Sequence, residues 1–214
     1  MHRSRRWFRL ITILFVTLGL FGSFLPLPLP FASETSSVPE AQAAGATYYV
    51  ATTGNDGNPG TLSQPFRTVQ RGVNALSGPG DTLYIRAGNY VEGVAYPATI
   101  FGTASAPITI AGYPGDARPI VRPPSGWNSF AWWVQWDATK TPRHLVMRDF
   151  DIEGIDMYSG GDPSWACVRL EAPYVTLDNM KVRNCPGGCR GLFLFAPYLA
   201  QFDSFELWAY PASE

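Results

Sequence analysis

The sequence predicts an all-β fold. The strands are short and parallel, wound into a β-helix solenoid that a helix caps at the amino-terminal end and that is cut short at the carboxyl end. Three observations lead there. First, HLVMRDFDIEG (144–154) and YVTLDNMKVRN (174–184) place apolar residues at matching positions, with a weaker copy in FDSFELWA (202–209). Second, each copy alternates as a strand does but carries one extra residue mid-run, a spacing that neither a plain strand nor an amphipathic helix produces. Third, 21 Gly and 19 Pro with only 15 % charged residues favour many short elements joined by turns. Repeats of this length indicate a solenoid or an array, and the absence of helical periodicity excludes helical and leucine-rich repeats.

The first 44 residues form a separate segment. HRSRRWFR is basic, LITILFVTLGLFGSFL is apolar, and small-x-small sites end at Ala32 and Ala43. This is the pattern of a secretory signal, with an uncleaved anchor as the alternative. Cleavage near Ala44 removes four Arg and two Glu and leaves a mildly acidic chain. A secreted or cell-surface protein is therefore expected, one that touches a membrane only through this segment. The net charge of −1 gives no basic field for nucleic acid. Residues 45–121 read as cap and first coil, and 122–214 as further coils, the whole a monomer.

TYYVA (47–51) is a short β run. GNDGNPGTLSQ follows as a turn-rich loop whose spacing does not fit a calcium-binding loop. Pro65 opens a helical stretch with Phe66, Val69, Val73 and Leu76 at helical spacing, ended by Ser77-Gly78-Pro79-Gly80. Leu83 and Ile85 alternate with Tyr84 and Arg86, and 108–111 and 119–121 supply two more strands. In the second half, Leu145, Met147, Phe150 and Ile152 correspond to Val175, Leu177, Met180 and Val182. Val168 and Leu170 correspond to Leu192 and Leu194. The extra residue in each copy, Asp149, Asn179 or Ser204, is read as a corner that restores inward parity after a bend. Asn and Asp tolerate the left-handed backbone a tight corner demands, and stacked corners can share hydrogen bonds.

Residues 47–121, above all YYVATTGNDGNPGTLSQPFRTVQRGVNAL and PGDTLYIRAGNYVEGV, resemble the cap and first coil of the right-handed parallel β-helix proteins of the pectate-lyase-like group. In look they are nearest to family-nine pectate lyases and related secreted β-helix proteins. The resemblance implies right-handed winding, which parallel crossovers also favour. It implies that Phe66, Val69, Val73 and Leu76 cover the open end of the stack, an end that would otherwise expose apolar cross-section and strand edges. For function it implies a protein that binds or acts on polysaccharide, most simply a lyase performing β-elimination on acidic, uronate-containing glycans, or a fragment of one. A non-catalytic glycan- or protein-binding module is the alternative. Ca²⁺ is the implied cofactor, with a Lys or Arg as base.

Outward positions supply the candidates. Arg169 and Lys181 are candidate bases, and Glu171, Tyr158, Trp165 and Phe193 candidate substrate contacts. Asp156 and Asp162, in the loop 154–165, are candidate Ca²⁺ ligands. Cys167 is also read as outward, beside Arg169 and Glu171. Lys181 and Arg183 stand opposite Asp151 and Glu153 one coil away, a pattern that inter-coil ion pairs on a solvated face explain more simply than catalysis. Three Cys in an oxidising compartment allow one disulfide, with Cys185–Cys189 around Pro-Gly-Gly as one short closure and the pairing otherwise open.

Overall fold

The computed structural model describes residues 45–139, 141–155, 157, 166–185, 190–194 and 200–209, with Arg190 and the last group described by backbone alone. Residues 1–44, the segment expected to be a signal, lie outside these residues. No helix among them is long and apolar enough to cross a membrane.

Among the described residues, thirteen strands and one short helix account for the regular structure. The strands are β1 (Thr47–Val50), β2 (Thr82–Ile85), β3 (Asn89–Val91), β4 (Val94–Tyr96), β5 (Ile108–Gly112), β6 (Ile120–Arg122) and β7 (Trp132–Val134). They continue with β8 (Leu145–Arg148), β9 (Asp151–Glu153), β10 (Ala166–Leu170), β11 (Val175–Cys185), β12 (Arg190–Leu194) and β13 (Ala200–Ala209), and the helix is α1 (Val69–Val73). All strand pairings are parallel. One ladder runs β1–β2–β5–β8–β11, a second β3–β6–β9–β11 and a third β4–β7–β10–β12. The chain visits the ladders in the same order on successive circuits, β2-β3-β4, then β5-β6-β7, then β8-β9-β10. The long strand β11 joins the first ladder to the second, and β13 pairs along it.

The register follows the residue pattern. Val175 and Leu177 lie beside Leu145 and Met147, and Val182 beside Ile152. Leu177, Met180 and Val182 lie beside Phe202, Phe205 and Leu207. Alternate residues of each strand meet in the interior, where Leu83, Ile85, Ile108, Ile110, Leu145, Met147, Phe150, Ile152, Val168, Val175 and Val182 are all buried. Each contributes about 1.5–3 kcal/mol by leaving water.

Between Leu177 and Met180 the parity changes at Asn179, which adopts φ 48°, and in the circuit below Asp149 adopts φ 61°. Asn179 Nδ2 donates to Asp149 Oδ1 at 2.7 Å, so the corners are hydrogen-bonded to one another. The backbone of Ser204 runs within β13, and its side chain lies outside the described residues. His144, Tyr174 and Asn184 are also left-handed (φ 42°, 59° and 57°), corners that strand alternation does not reveal.

The helix is shorter than the sequence predicts. It begins at Val69 rather than at Pro65, because Thr68 is the N-cap, extended at φ −108°, with its hydroxyl accepting from Arg71 N. Phe66 instead bridges to Val50 in extended backbone. Phe66, Val69, Val73 and Leu76 are nonetheless all buried against Val50 and Leu83 in one core cluster. Glu92 reaches back from the first circuit and accepts from Val69 N and Gln70 N at 2.8 and 2.9 Å. Asp56 of the GNDGNPG loop accepts from Arg67 N and Thr68 N. Two carboxylates thus satisfy amides that a helix start leaves unpaired.

One cation lies wholly inside. Arg143 is fully buried, with its guanidinium held by the carbonyls of Gln135 and Thr141 and by Asp137 at 3.3 Å. Among the paired outer residues, Asp151 binds Arg118 and Arg183 (3.2 Å), and Arg183 Nε also meets Glu153 at 2.8 Å. Lys181 is Asp151's register partner, and the Asp151 carboxylate meets the guanidinium groups of Arg118 and Arg183.

Candidate functional site: an aromatic and arginine column on the third ladder

On the outer side of the third ladder, one row of register partners runs Ala95, Trp133, Arg169, Phe193. Adjacent rungs of a parallel sheet are about 4.8 Å apart, so these side chains stand in a close column. The sequence builds it simply. Trp132, Val134, Val168 and Leu170 point into the core, and the residues between them face outward. Arg169 Cζ lies 4.8 Å from the Phe130 ring centroid and 5.1 Å from that of Phe193. Phe130 packs on Trp133 with centroids 5.5 Å apart. Arg169 Nε donates to Glu171 Oε1 at 2.7 Å, and Trp133 Nε1 donates to Glu171 Oε2 at 2.6 Å.

The outward reading of Glu171 and Cys167 is corrected by these contacts. Glu171 is only 6 % exposed, its two oxygens occupied by Arg169 and Trp133. It orders the column rather than meeting a solute. Cys167 is fully buried and forms a disulfide with Cys185. Its Sγ touches Met157 Sδ at 3.9 Å and packs on Gly154, where a Cβ would come within 2.3 Å of the sulfur. The short Cys185–Cys189 closure is therefore not formed. An 18-residue separation is bridged instead.

Of the other candidates, Arg169 and Phe193 meet as register partners. Lys181 lies on the second ladder and takes no part in the column. Tyr158, Trp165, Asp156 and Asp162 lie outside the described residues, as do Cys189 and Phe195. Sequence reasoning missed Trp133 and Phe130. The run FAWWVQW carries the aromatic signal, but three-residue strands such as β7 are too short for alternation to identify.

Every carboxylate whose side chain is described has a structural partner. Asp81 binds the amides of Ala46, Ser77 and Gly78, Asp116 pairs with Arg86, Asp137 with Arg143, and Asp178 with Arg148. Among the described residues no three His, Cys, Asp or Glu side chains converge as metal ligands would. The two residues expected to bind Ca²⁺, Asp156 and Asp162, lie outside the described residues.

No known family's sequence model matches the chain. Over 72 residues it is 35 % identical to Pectate lyase PEL9 of Emericella nidulans, a match covering 34 % of this chain and 17 % of that protein. A solved rhamnogalacturonan lyase superposes with a TM-score of 0.53 at 23 % identity, covering 65 % of this chain and 36 % of the other. The GH136 lacto-N-biosidase of Eubacterium ramulus superposes with a TM-score of 0.59 at 17 % identity, covering 77 % and 34 %. At these identities the likeness is one of fold, a nearly all-β, pectate-lyase-like stack of parallel strands. The chain spans about a sixth of the length of the curated relative and about a third of each solved structure.

Proposed function

We propose that this chain belongs to a secreted, right-handed parallel β-helix protein that engages acidic polysaccharide through the Trp133–Arg169–Phe193 column. The observation that carries the reading is the column itself: aromatic side chains on adjacent rungs with one guanidinium between them. Aromatic rings bury the C–H faces of sugars, and a guanidinium presents a planar donor fork to carboxylates. Glu171 and Phe130 hold that fork in place before ligand arrives, which cuts the ordering cost of binding.

The geometry supports binding at this column rather than proton abstraction. A base must turn an unshared electron pair toward the substrate, whereas Arg169 is ion-paired with a buried carboxylate and flanked by two rings. A second reading, β-elimination on a uronate-containing glycan, is supported by the 72-residue likeness to a pectate lyase. In that reading the column holds substrate while the base lies elsewhere.

One experiment tests both. The full chain is mixed with polygalacturonate, alginate and chondroitin sulfate with and without Ca²⁺. Gel retardation reads binding, and ultraviolet absorbance of unsaturated ends reads cleavage. Retardation that Trp133→Ala weakens supports the column, and absorbance growth would make the protein a lyase. Retardation by none of the three polysaccharides, or equal retardation of Trp133→Ala, would overturn the proposal.

A further inference from the structure

A second place on the molecule has the chemistry of sugar recognition, on a different ladder. Along β1–β2–β5–β8–β11 the outward row reads Tyr49, Tyr84, Ala111, Arg148, Asp178. Ala111 is the one small side chain in this row, and a groove of about 540 Å³ opens over it. Tyr84 and Tyr113 line one side, and Arg148 and Asp149 the other, with Asp116 and Arg118 also on the wall. Gly112 beside Ala111 must stay small for another reason, since a Cβ there would come within 2.2 Å of the Asp149 carbonyl oxygen.

The walls are held in place. Tyr84 stacks on Tyr49 (5.8 Å between centroids) and meets Tyr113 edge-on at 5.6 Å. Arg86 lies 4.6 Å over the Tyr113 ring and binds Asp116 through Nε at 2.5 Å. Arg148 is anchored by Asp149 at 2.8 Å and Asp178 at 3.4 Å. Three arginines in and around the groove, Arg86, Arg118 and Arg148, face four aspartates, Asp116, Asp149, Asp151 and Asp178. A carboxylated sugar would find no surplus positive charge here. Paired Arg and Asp groups do present donors and acceptors side by side, which hydroxyl groups satisfy from both ends.

We propose that the groove over Ala111, walled by Tyr84 and Tyr113 and by Arg148 and Asp149, is a subsite for an uncharged sugar ring of a glycan chain. The proposal rests on the reading of this protein as a glycan binder but uses a different ladder and the opposite charge preference. The rings take the C–H face of the sugar, and the ion-paired rim takes its hydroxyls. The Trp133 column and this groove would engage acidic and neutral portions of a glycan separately.

The test uses the full chain and titration calorimetry with cellohexaose, xylohexaose, a β-1,4-galactan hexasaccharide and hexagalacturonate. Ala111 is 4 % exposed at the groove floor, so Ala111→Phe pushes a ring into the groove, and Tyr113→Ala removes the half-buried ring of one wall. At least one neutral hexasaccharide is expected to bind, about tenfold more weakly to either variant. The proposal is overturned if no neutral hexasaccharide binds, if both variants bind it as the parent does, or if Ala111→Phe abolishes hexagalacturonate binding instead. Loss of hexagalacturonate binding in Trp133→Ala alone reports on the other site, so the two readings fail independently.

Discussion

Replacing Asn179 by Val tests the corner that lets β11 serve two ladders. Asn179 sits at φ 48°, where a β-branched side chain is strained, at a cost of about 1–3 kcal/mol. The substitution also removes the 2.7 Å hydrogen bond to Asp149, worth about 0.5–1.5 kcal/mol at this exposed position. The backbone carbonyl of Asn179, which accepts from Arg118, is left in place. The sum is about 2–4 kcal/mol, which for a domain of this size lowers Tm by about 5–15 °C. Asn179→Gly separates the two causes: it accepts the positive φ but loses the hydrogen bond, so its Tm should fall by about 1–6 °C. The assay is thermal melting followed by circular dichroism on parent, Gly and Val proteins under one buffer. The reasoning fails if Val melts with the parent, or if Gly is as damaging as Val. The second result would mean that the hydrogen bond, not the backbone, makes the corner.

Two further outcomes follow from the same contacts. The Cys167–Cys185 bond closes an 18-residue separation, for which chain-entropy reasoning gives about 3 kcal/mol. The Cys167→Ala/Cys185→Ala double variant should therefore melt about 6–12 °C lower, and reductant should shift the parent but not the variant; a parent melt indifferent to reductant contradicts the pairing. The Asp116 carboxyl is held below the usual carboxylate range chiefly by its hydrogen bond from Arg86, so its stabilising contribution is complete above the unfolded-state pKa near 4 and is lost as pH falls through the lowered folded-state value. Asp116→Asn should accordingly flatten the acid limb of Tm against pH while costing stability at neutral pH, and an unchanged acid limb would show that Asp116 does not titrate with unfolding.

Much of the strand stack was legible because side-chain parity is a local property. Leu145 and Met147, or Val175 and Leu177, alternate with polar neighbours whatever surrounds them, and their common offset reappears as register between β8 and β11. The corner at Asn179 was legible for the same reason, since one extra residue in an alternating run has few backbone explanations. The helix start was less so. Pro65 is compatible with a first helical turn, but Phe66 gains more by bridging to Val50 inside the core, and Thr68 takes the cap. β4 and β7 escaped notice because VAY and WWV are too short to show a period.

The functional candidates divide along the same line. Arg169 and Phe193 could be paired from matching alternation in two nearby runs. Trp133, which completes the column, and the burial of Glu171 beneath it could not, because they depend on the length of the intervening loops. The sequence by itself determined that Leu145, Met147, Val175, Leu177, Met180 and Val182 face in and that the chain turns at Asp149 and Asn179, since parity is set by neighbours one to three positions away. The tertiary structure alone decided that Tyr84, Ala111 and Arg148 share a row, that Cys167 meets Cys185, and that Asp151 belongs to Arg118 and Arg183. What stands over what depends on the number of residues in each whole circuit, loops included. That number varies from circuit to circuit, and only the packed core fixes the register that results.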